Sequence, residues 1–452
     1  MLDNKKLLFG INKNILLQEL MVAETILQSF DNLIKNKNYF VFNGVKHKHV
    51  EILTYNDKYG SFYSAIIPIK SLEDFSVFIN CNQLYNLLNQ FSVKDEVFFC
   101  YKSLQDPSNG IVYIENFNSS ISFPINVKEE DENIRPLSDF VLYSQNKTLS
   151  TIKVKRKEFY DSLMSYEPLY FKIPDEIFNT RGLSIFINEN NNLIEFHYAN
   201  SVLVTKSKYK NLIIVEEEKQ SPTTSVKKTN TKNKTKIDIS YIFENHIIST
   251  LLEMINPNNK PINIKDVRDN TLTIHVFEND AEYIVFEYES RKLCYKIKKI
   301  TYINTSFFDN QNQAINTSVV LNKDLLKQNI KSIIDLSKDL SQTQPPIIKI
   351  SIVNKKLLIQ TVETNNPEIL REIDCLEIKN KKILPTQTSE TAEISACVRA
   401  IYLLKILESI SSTNINLYIP DKDNVFVQLE PKEINENNNI FYLLAKMVDD
   451  EE

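Results

Sequence analysis

The chain has 452 residues, enough for three domains at about 150 residues each. Its hydrophobic content of 42% and charged content of 25% are those of a folded globular protein, which excludes a fibrous or grossly disordered chain. With 53 basic against 58 acidic residues the formal charge is −5, so any affinity for nucleic acid must come from a local basic surface and not from overall charge.

Taken in chain order, one pattern recurs: a short strand, a polar cap, an amphipathic helix, then two or three β-rich runs separated by Asn, Asp or Lys turns. The period is roughly 55 to 70 residues. The first copy, about 5–70, opens with the strand Lys6–Ile11 and a helix over Asn14–Ile34, with Leu16, Leu17, Leu20, Ile26, Leu27, Phe30 and Ile34 near helical spacing. The second, about 75–128, has the strand Ser76–Ile79, a helix over Asn82–Phe91 and strands at Glu96–Tyr101, Gly110–Ile114 and Ser120–Ile125. The third, about 149–215, has Ser150–Val154, a helix over Arg156–Tyr166 and strands at Leu183–Ile187 and Leu193–His197.

The fourth copy, about 236–300, places a helix at Ile242–Ile255 before strands at Thr271–Val276 and Tyr283–Tyr288. The fifth, about 316–380, opens with Ser318–Leu321. Asn322 is its expected helix cap, the helix runs over Lys323–Leu340, and the hairpin Ile347–Val353 with Leu357–Val362 turns on Asn354-Lys355. The sixth, about 392–448, has Glu393–Ala396, a helix over Val398–Ser409 and strands at Asn416–Ile419, Val425–Leu429 and Phe441–Met447. The expected fold class is α+β: six βαββ(β) repeats pairing into three domains, each with two helices over two small antiparallel sheets. The expected boundaries are 1–130, 131–303 and 304–452, with a polar flexible loop at 216–236.

Five glycines is few for this length, and Trp is absent. Asn therefore has to take the left-handed turn positions, for example in Asn190-Asn191-Asn192. The richness in Asn, Lys and Ile is what an AT-rich genome, a viral one among them, produces. The five cysteines are scattered and form no C-x-x-C, as expected of reduced, mostly buried thiols. There is no run of about 18 apolar residues and no signal-peptide core, so a cytoplasmic protein with no membrane partner is expected.

Three domains of two βαββ(β) units resemble the bacterial DNA sliding clamp, the β subunit of DNA polymerase III. The resemblance is strongest in the sixth repeat. Its helix Tyr402–Leu407 is followed by Asn416–Ile419, Val425–Leu429 and a terminal strand Tyr442-Leu443-Leu444-Ala445-Lys446-Met447, similar to the family's Y-V-V-M-P-M but with Lys446 at the Pro position. The acidic tail Asp449–Glu452 is instead similar to the ending of eukaryotic and archaeal clamps. The resemblance implies a ring of two head-to-tail subunits around double-stranded DNA, helices lining the hole and antiparallel sheets outside. A ring that slides needs loosely placed Lys and Arg facing phosphates and no base readers. Implied partners are double-stranded DNA without sequence preference, a DNA polymerase, an ATP-dependent clamp loader and a second copy of the chain.

On that reading the candidate DNA-facing residues are Lys13, Lys35 and Lys37 around the first helix, and Lys155, Arg156 and Lys157 at the third helix start. To these are added Arg181 in a turn, Lys323, Lys327 and Lys331 on the fifth helix, and Arg399 and Lys405 on the sixth. The fifth helix is the best case, because its lysines, with Lys338, recur at spacings that share a face. The family's peptide pocket maps onto Val202 and Val204, Tyr302 and Phe307, and Leu443, Ala445 and Met447. On the terminal strand Leu443, Ala445 and Met447 share a face, which is expected to stay open for a partner peptide.

Catalysis finds little support: no phosphate-cradling loop, nucleophile elbow or H-E-x-x-H is present. His47-Lys48-His49 reads as a solvated strand face, and His197 and His275 as strand residues, so no catalytic residue, metal or cofactor is expected. Two other readings are a repeat-built structural or interaction protein, such as a virion component, and a relative of the two-domain, trimeric clamps.

Overall fold

In the computed structural model the described residues are 5–27, 39–56, 61–92, 95–103, 109–116, 121–128, 148–169, 182–188, 192–199, 202–214, 239–243, 245–259, 270–277, 283–296, 317–338, 346–362, 369–380, 394–420, 426–433 and 438–446. The first repeat contributes β1 (Lys6–Asn12), α1 (Lys13–Leu27), β2 (Tyr39–Val45), β3 (His49–Asn56) and β4 (Ser61–Ile67); the second, β5 (Phe75–Asn80), α2 (Cys81–Leu88), β6 (Glu96–Ser103), β7 (Asn109–Asn116) and β8 (Ile121–Lys128). The third has β9 (Thr148–Lys155), α3 (Arg156–Met164), β10 (Gly182–Asn188), β11 (Leu193–Ala199) and β12 (Leu203–Lys210). The fourth has β13 (Ile239–Phe243), α4 (Asn245–Ile255), β14 (Thr271–Phe277), β15 (Tyr283–Tyr288) and β16 (Arg291–Lys296). The fifth has β17 (Thr317–Asn322), α5 (Lys323–Lys338), β18 (Ile347–Val353), β19 (Lys356–Thr361), β20 (Leu370–Asp374) and β21 (Glu377–Asn380). The sixth has β22 (Ile394–Arg399), α6 (Ala400–Ser409), β23 (Asn414–Ile419), β24 (Phe426–Pro431) and β25 (Asn438–Ala445).

Local chemistry explains where the helices begin. Asn80 caps α2 by accepting a hydrogen bond from the Gln83 amide at 3.2 Å, and Asn322 caps α5 by accepting from the Leu325 amide at 3.0 Å. Asn192, Asn211 and Asn354 stand at positive φ, where the chain has no glycine to offer. Gly44 is needed for space: a side chain there would collide with the Phe75 ring on the neighbouring strand.

The repeats exchange strands reciprocally. The opening strand of each repeat pairs with the first hairpin strand of its neighbour: β1 with β6 and β5 with β2, β9 with β14 and β13 with β10, β17 with β23 and β22 with β18. Last strands then join sheets together. β4 pairs with β16, and β12 with β25. The small separate sheets expected for each domain are therefore merged into sheets of 12, 9 and 4 strands.

The contacts divide the chain into two compact units. One comprises Met1–Tyr160, Ile214–Glu216 and Glu244–Lys298; the other comprises Asp161–Ile213, Glu217–Phe243 and Lys299–Glu452. The segment expected as a second domain thus contributes β9 and β14 to β16 to the first unit and β10 to β13 to the second.

In the first unit, α1 buries Leu16, Leu20, Ala23, Ile26 and Leu27 over β3 and β4. Each such side chain contributes roughly 1.5–3 kcal/mol on burial, less for Ala. Thr25 on α1 donates to Thr250 on α4 at 2.8 Å. Glu19, buried in the same helix, accepts from Arg291 Nε at 3.0 Å and from the Tyr63 hydroxyl at 3.1 Å. Arg291 is 1% exposed and is one of the largest fully buried side chains among the described residues. This ion pair fastens α1 to β16, the strand through which the fourth repeat joins β4.

In the second unit, α5 buries Leu326, Ile330, Ile333 and Ile334, while Leu325 is exposed. Tyr166 and Tyr198 carry their hydroxyls into the core, donating to the carbonyls of Phe196 at 3.0 Å and Leu169 at 2.8 Å. All five cysteines are free thiols, and all but Cys375 are buried.

Removing one member of the buried pair leaves a charge without a partner, so Arg291→Ala should destabilise the protein by about 3–5 kcal/mol. Arg291 also faces the buried Glu289 at 3.6 Å, so the compensated change is the triple Glu19→Leu, Arg291→Met and Glu289→Gln, which should cost much less. Urea unfolding of the two variants distinguishes them, and equal large losses in both would show that shape, not charge pairing, holds this joint.

Candidate nucleic-acid and peptide surfaces

The helix-borne basic residues divide sharply by environment. Lys13 is corrected by the structure: it is 4% exposed, and its ammonium donates to the Phe91 carbonyl, so it presents no charge to solvent. Lys323 is also withdrawn, its Nζ donating to the Ile410 carbonyl at 3.0 Å beside Asp324 at 3.7 Å. Arg156 lies over the Tyr288 ring, 4.6 Å from its centroid, and donates to the Tyr288 hydroxyl. Burial lowers its pKa, opposed by nearby Glu289. Lys405 pairs with Glu408 one turn on, at 2.8 Å.

Lys155, Lys157 and Lys331 are exposed, and Lys327 and Arg399 half-buried. Arg399 is the N-cap residue of α6 and makes no side-chain cap. Lys35, Lys37 and Arg181 lie outside the described residues. Of the fifth-helix stripe, then, Lys327 and Lys331 remain as surface cations among the described side chains.

The peptide-pocket residues come together in part. β12 and β25 are antiparallel neighbours, with Val204 opposite Leu443, and the Ala445 amide donates to the Val202 carbonyl at 2.8 Å. Strand alternation puts Val202, Val204, Leu443 and Ala445 on one face, where Phe426 and Gln428 of β24 stand opposite Ala445 and Leu443. Tyr302, Phe307 and Met447 lie outside the described residues. The expectation of an open face on the terminal strand is corrected at Leu443, which is 3% exposed. β25 is an interior strand between β12 and β24, so both of its edges are paired and Tyr442, Leu443 and Leu444 are all buried. The half-buried apolar positions on this face include Val202, Val204, Phe426, Phe441 and Ala445.

Beside them lies a polar cluster that was not singled out in the sequence. Glu195 of β11 hydrogen-bonds His197 at 3.0 Å and lies 3.7 Å from Lys206 and 3.3 Å from Lys208 on β12. Burial alone would raise the Glu195 carboxyl, but the His197 hydrogen bond and the two lysines outweigh it and pull the carboxyl down to about 2. Burial lowers His197, against the pull of Glu195. The Glu-x-His and Lys-x-Lys spacings on adjacent strands are the signal that would have found this cluster.

A parallel arrangement occurs in the first unit. His275 of β14 bonds Glu287 of β15 at 3.0 Å, with Lys292 of β16 at 3.7 Å. The strand face expected for His47-Lys48-His49 is corrected: His47, at positive φ, and Lys48 form the exposed turn between β2 and β3, and only His49, half-buried, lies in a strand. Among the described residues no group of three His, Cys, Asp or Glu side chains is placed to hold a metal ion. No helix among them is long and apolar enough to cross a membrane.

With this geometry established, the chain can be compared with known proteins. No family model matches the sequence, and no curated protein does. Solved structures match along the whole chain. The DNA polymerase sliding clamp of Bacillus subtilis superposes with a TM-score of 0.72 at 11% identity, covering 98% of this chain and 100% of that one. The DNA polymerase III β subunit of Thermotoga maritima gives 0.71 at 11% identity with the same coverage. The DNA polymerase III subunit β of Pseudomonas aeruginosa gives 0.69 at 11% identity, covering 97% and 99%. The fold is that of a DNA sliding clamp. The clamp fold accounts for the α+β class, the repeated βαββ units and the reciprocal strand exchange. At 11% identity it is the backbone that has been kept and not the side chains, which is why the surface residues must be argued one by one.

The depressed pKa values set the sign of one pH effect. Unfolded, His197 takes up a proton near its ordinary 6.5, whereas in the fold it resists, so stability falls as pH drops through that value. Glu195 acts at lower pH: its contribution is complete above about 4.5 and is lost as pH falls toward about 2. Thermal melts of His197→Gln should therefore show a smaller loss between pH 7 and pH 5.5 than the native chain. Identical pH profiles would remove His197 from the account.

Proposed function

We propose that the chain is a DNA sliding clamp: a non-catalytic processivity factor of three domains that closes as a head-to-tail homodimer around double-stranded DNA and tethers a polymerase to it. The observation that carries this reading is the end-to-end likeness to sliding clamps, over 98% of this chain and all of the Bacillus subtilis protein. Six repeats support dimer closure over a trimer of two-domain chains. An ATP-dependent loader would open the ring, and short peptides of polymerase and loader would dock beside Val202, Val204 and Ala445. A structural or virion role is the competing reading, and no observation favours it.

Repeat logic names the strands that would meet. Within the chain, the last strands of the first and fourth repeats pair, as do those of the third and sixth. The third strand after the helix in the second and fifth repeats, β8 and β20, has no such counterpart within the chain, and β21, which ends the fifth, pairs with β17. β8 pairs with β7 along its length but is in register with β5 only at Phe78 opposite Lys128, and it carries Pro124, which a sparsely paired strand edge tolerates. β20 has β19 on one side only, among the described residues. Leu370 at its start is 48% exposed and Leu376 just beyond its end is 60% exposed. Pairing β8 of one copy with β20 of the next would satisfy both edges and cover these leucines.

Two measurements test the proposal. The protein should remain on a nicked circular plasmid during gel filtration and be lost when the plasmid is cut once. Equal retention on both forms would contradict enclosure. In sedimentation equilibrium the native chain should be a dimer, and Leu370→Glu should shift it toward monomer by tenfold or more in dissociation constant, since a carboxylate would be buried at the joint. A Leu370→Glu protein that dimerises normally would place the joint elsewhere.

A further inference from the structure

Among the described helices, α1, α3 and α5 begin on a basic residue, Lys13, Arg156 and Lys323, while α2, α4 and α6 begin on Cys81, Asn245 and Ala400. These are the leading and the following helices of three successive repeat pairs. In the first pair the Lys13 amide donates to the Asp95 carbonyl at 3.0 Å and its ammonium to the Phe91 carbonyl, both in the turn that follows α2. In the third pair the Lys323 amide donates to the Thr413 carbonyl at 2.9 Å and its ammonium to the Ile410 carbonyl at 3.0 Å, both just after α6. One residue of the leading helix thus grips the end of the following helix at two points, and the grip recurs at the same position in two repeat pairs.

A helix ends on carbonyls that no amide of the helix reaches, and its dipole leaves that end partly negative, so an ammonium is favoured there. Lys13 is 4% exposed: its stem lies in the core and its charge is delivered to a carbonyl. The second repeat pair departs from this. The Arg156 amide still donates to the loop after α4, to the Asn270 carbonyl at 2.9 Å, but the guanidinium lies over Tyr288 at the end of β15. The loops account for the difference. Residues 89–94 separate α2 from Asp95, and 410–412 separate α6 from Thr413, whereas 256–269 separate α4 from Asn270. The end of α4 has a donor of its own: the Asn259 side-chain amide donates to the Glu253 carbonyl at 2.9 Å.

We propose that Lys13 and Lys323 are cross-helix latches, each making the end of the following helix depend on the start of the leading one, and that the second repeat pair has replaced its latch by a local cap, Asn259. The two helices of the first and third pairs then open together, whereas the end of α4 opens without regard to Arg156. Released from α4, Arg156 serves the β15–β16 hairpin instead, where it donates to the Tyr288 hydroxyl. The latches hold helix to helix whatever the protein binds, so they stand or fall apart from the clamp reading.

The test is hydrogen exchange of the full chain, read segment by segment in four variants. Lys13→Met keeps the stem and removes the ammonium. It should speed exchange of the Gln90 and Phe91 amides, which bond the Leu87 and Leu88 carbonyls, by about tenfold or more while leaving the end of α6 as it was. Lys323→Met should do the converse, speeding the Ile410 amide, which bonds the Ile406 carbonyl, and sparing the end of α2. The Lys323 side chain is 15% exposed, so this second variant carries the test if Lys13→Met does not fold. Arg156→Met should leave the last turn of α4 unchanged, and Asn259→Ala should loosen it. Unchanged exchange after α2 and α6 in the lysine variants, or a rise spread evenly over the chain, overturns the latches. A last turn of α4 that responds to Arg156→Met, or that ignores Asn259→Ala, overturns the exchange of latch for cap.

Discussion

A β-strand at the end of a sheet exposes backbone N–H and C=O groups that must find partners or invite unwanted ones. Each repeat in this chain ends on such a strand, and the architecture follows from how that edge is satisfied. β4 is closed by β16 and β12 by β25, so two joints between distant repeats are made by main-chain hydrogen bonds that need no particular side chains. That is why the clamp fold persists at 11% identity to its solved counterparts. The ladder supplies the joint, and apolar alternation on each strand supplies the core beneath it. β8, which meets β5 at a single register position, and β20, which has β19 on one side among the described residues, turn the same constraint into an argument for assembly.

Side chains then particularise each joint. At the first, Arg291 reaches from β16 to Glu19 on α1, and burial of the pair makes the joint intolerant of losing either partner. Near the second, Glu195, His197, Lys206 and Lys208 form a polar cluster beside the half-buried Val202, Val204 and Ala445. A surface with an apolar strip flanked by ionic groups suits a short peptide that buries a few side chains and keeps its charges wet.

Much of the fold was legible because helices and strands differ in period. The strands at β6, β10 and β18 and the helices α3 and α5 fall within a few residues of their sequence assignments. The caps at Asn322 and the turn on Asn354-Lys355 were readable from residue chemistry alone. The merging of sheets was not, because strand pairing between repeats far apart in sequence leaves no local signature. The site was less legible for a different reason. Spacing shows which residues share a helix face, but it cannot tell an exposed lysine from one whose ammonium is spent on a carbonyl, as at Lys13 and Lys323. Likewise alternation placed Leu443 on the face opposite Tyr442, but only the position of β25 between β12 and β24 shows that both faces are buried.

The central claim is that the sparsely paired edge of β8 and the free edge of β20 meet across two copies of the chain. Hydrogen exchange of the backbone amides, followed from high protein concentration down through the dissociation of the dimer, tests it directly. The account predicts that amides in β8 and β20 lose protection on dilution while those in β4 and β12, paired within the chain, keep theirs. Exchange in β8 and β20 that is independent of concentration would contradict it.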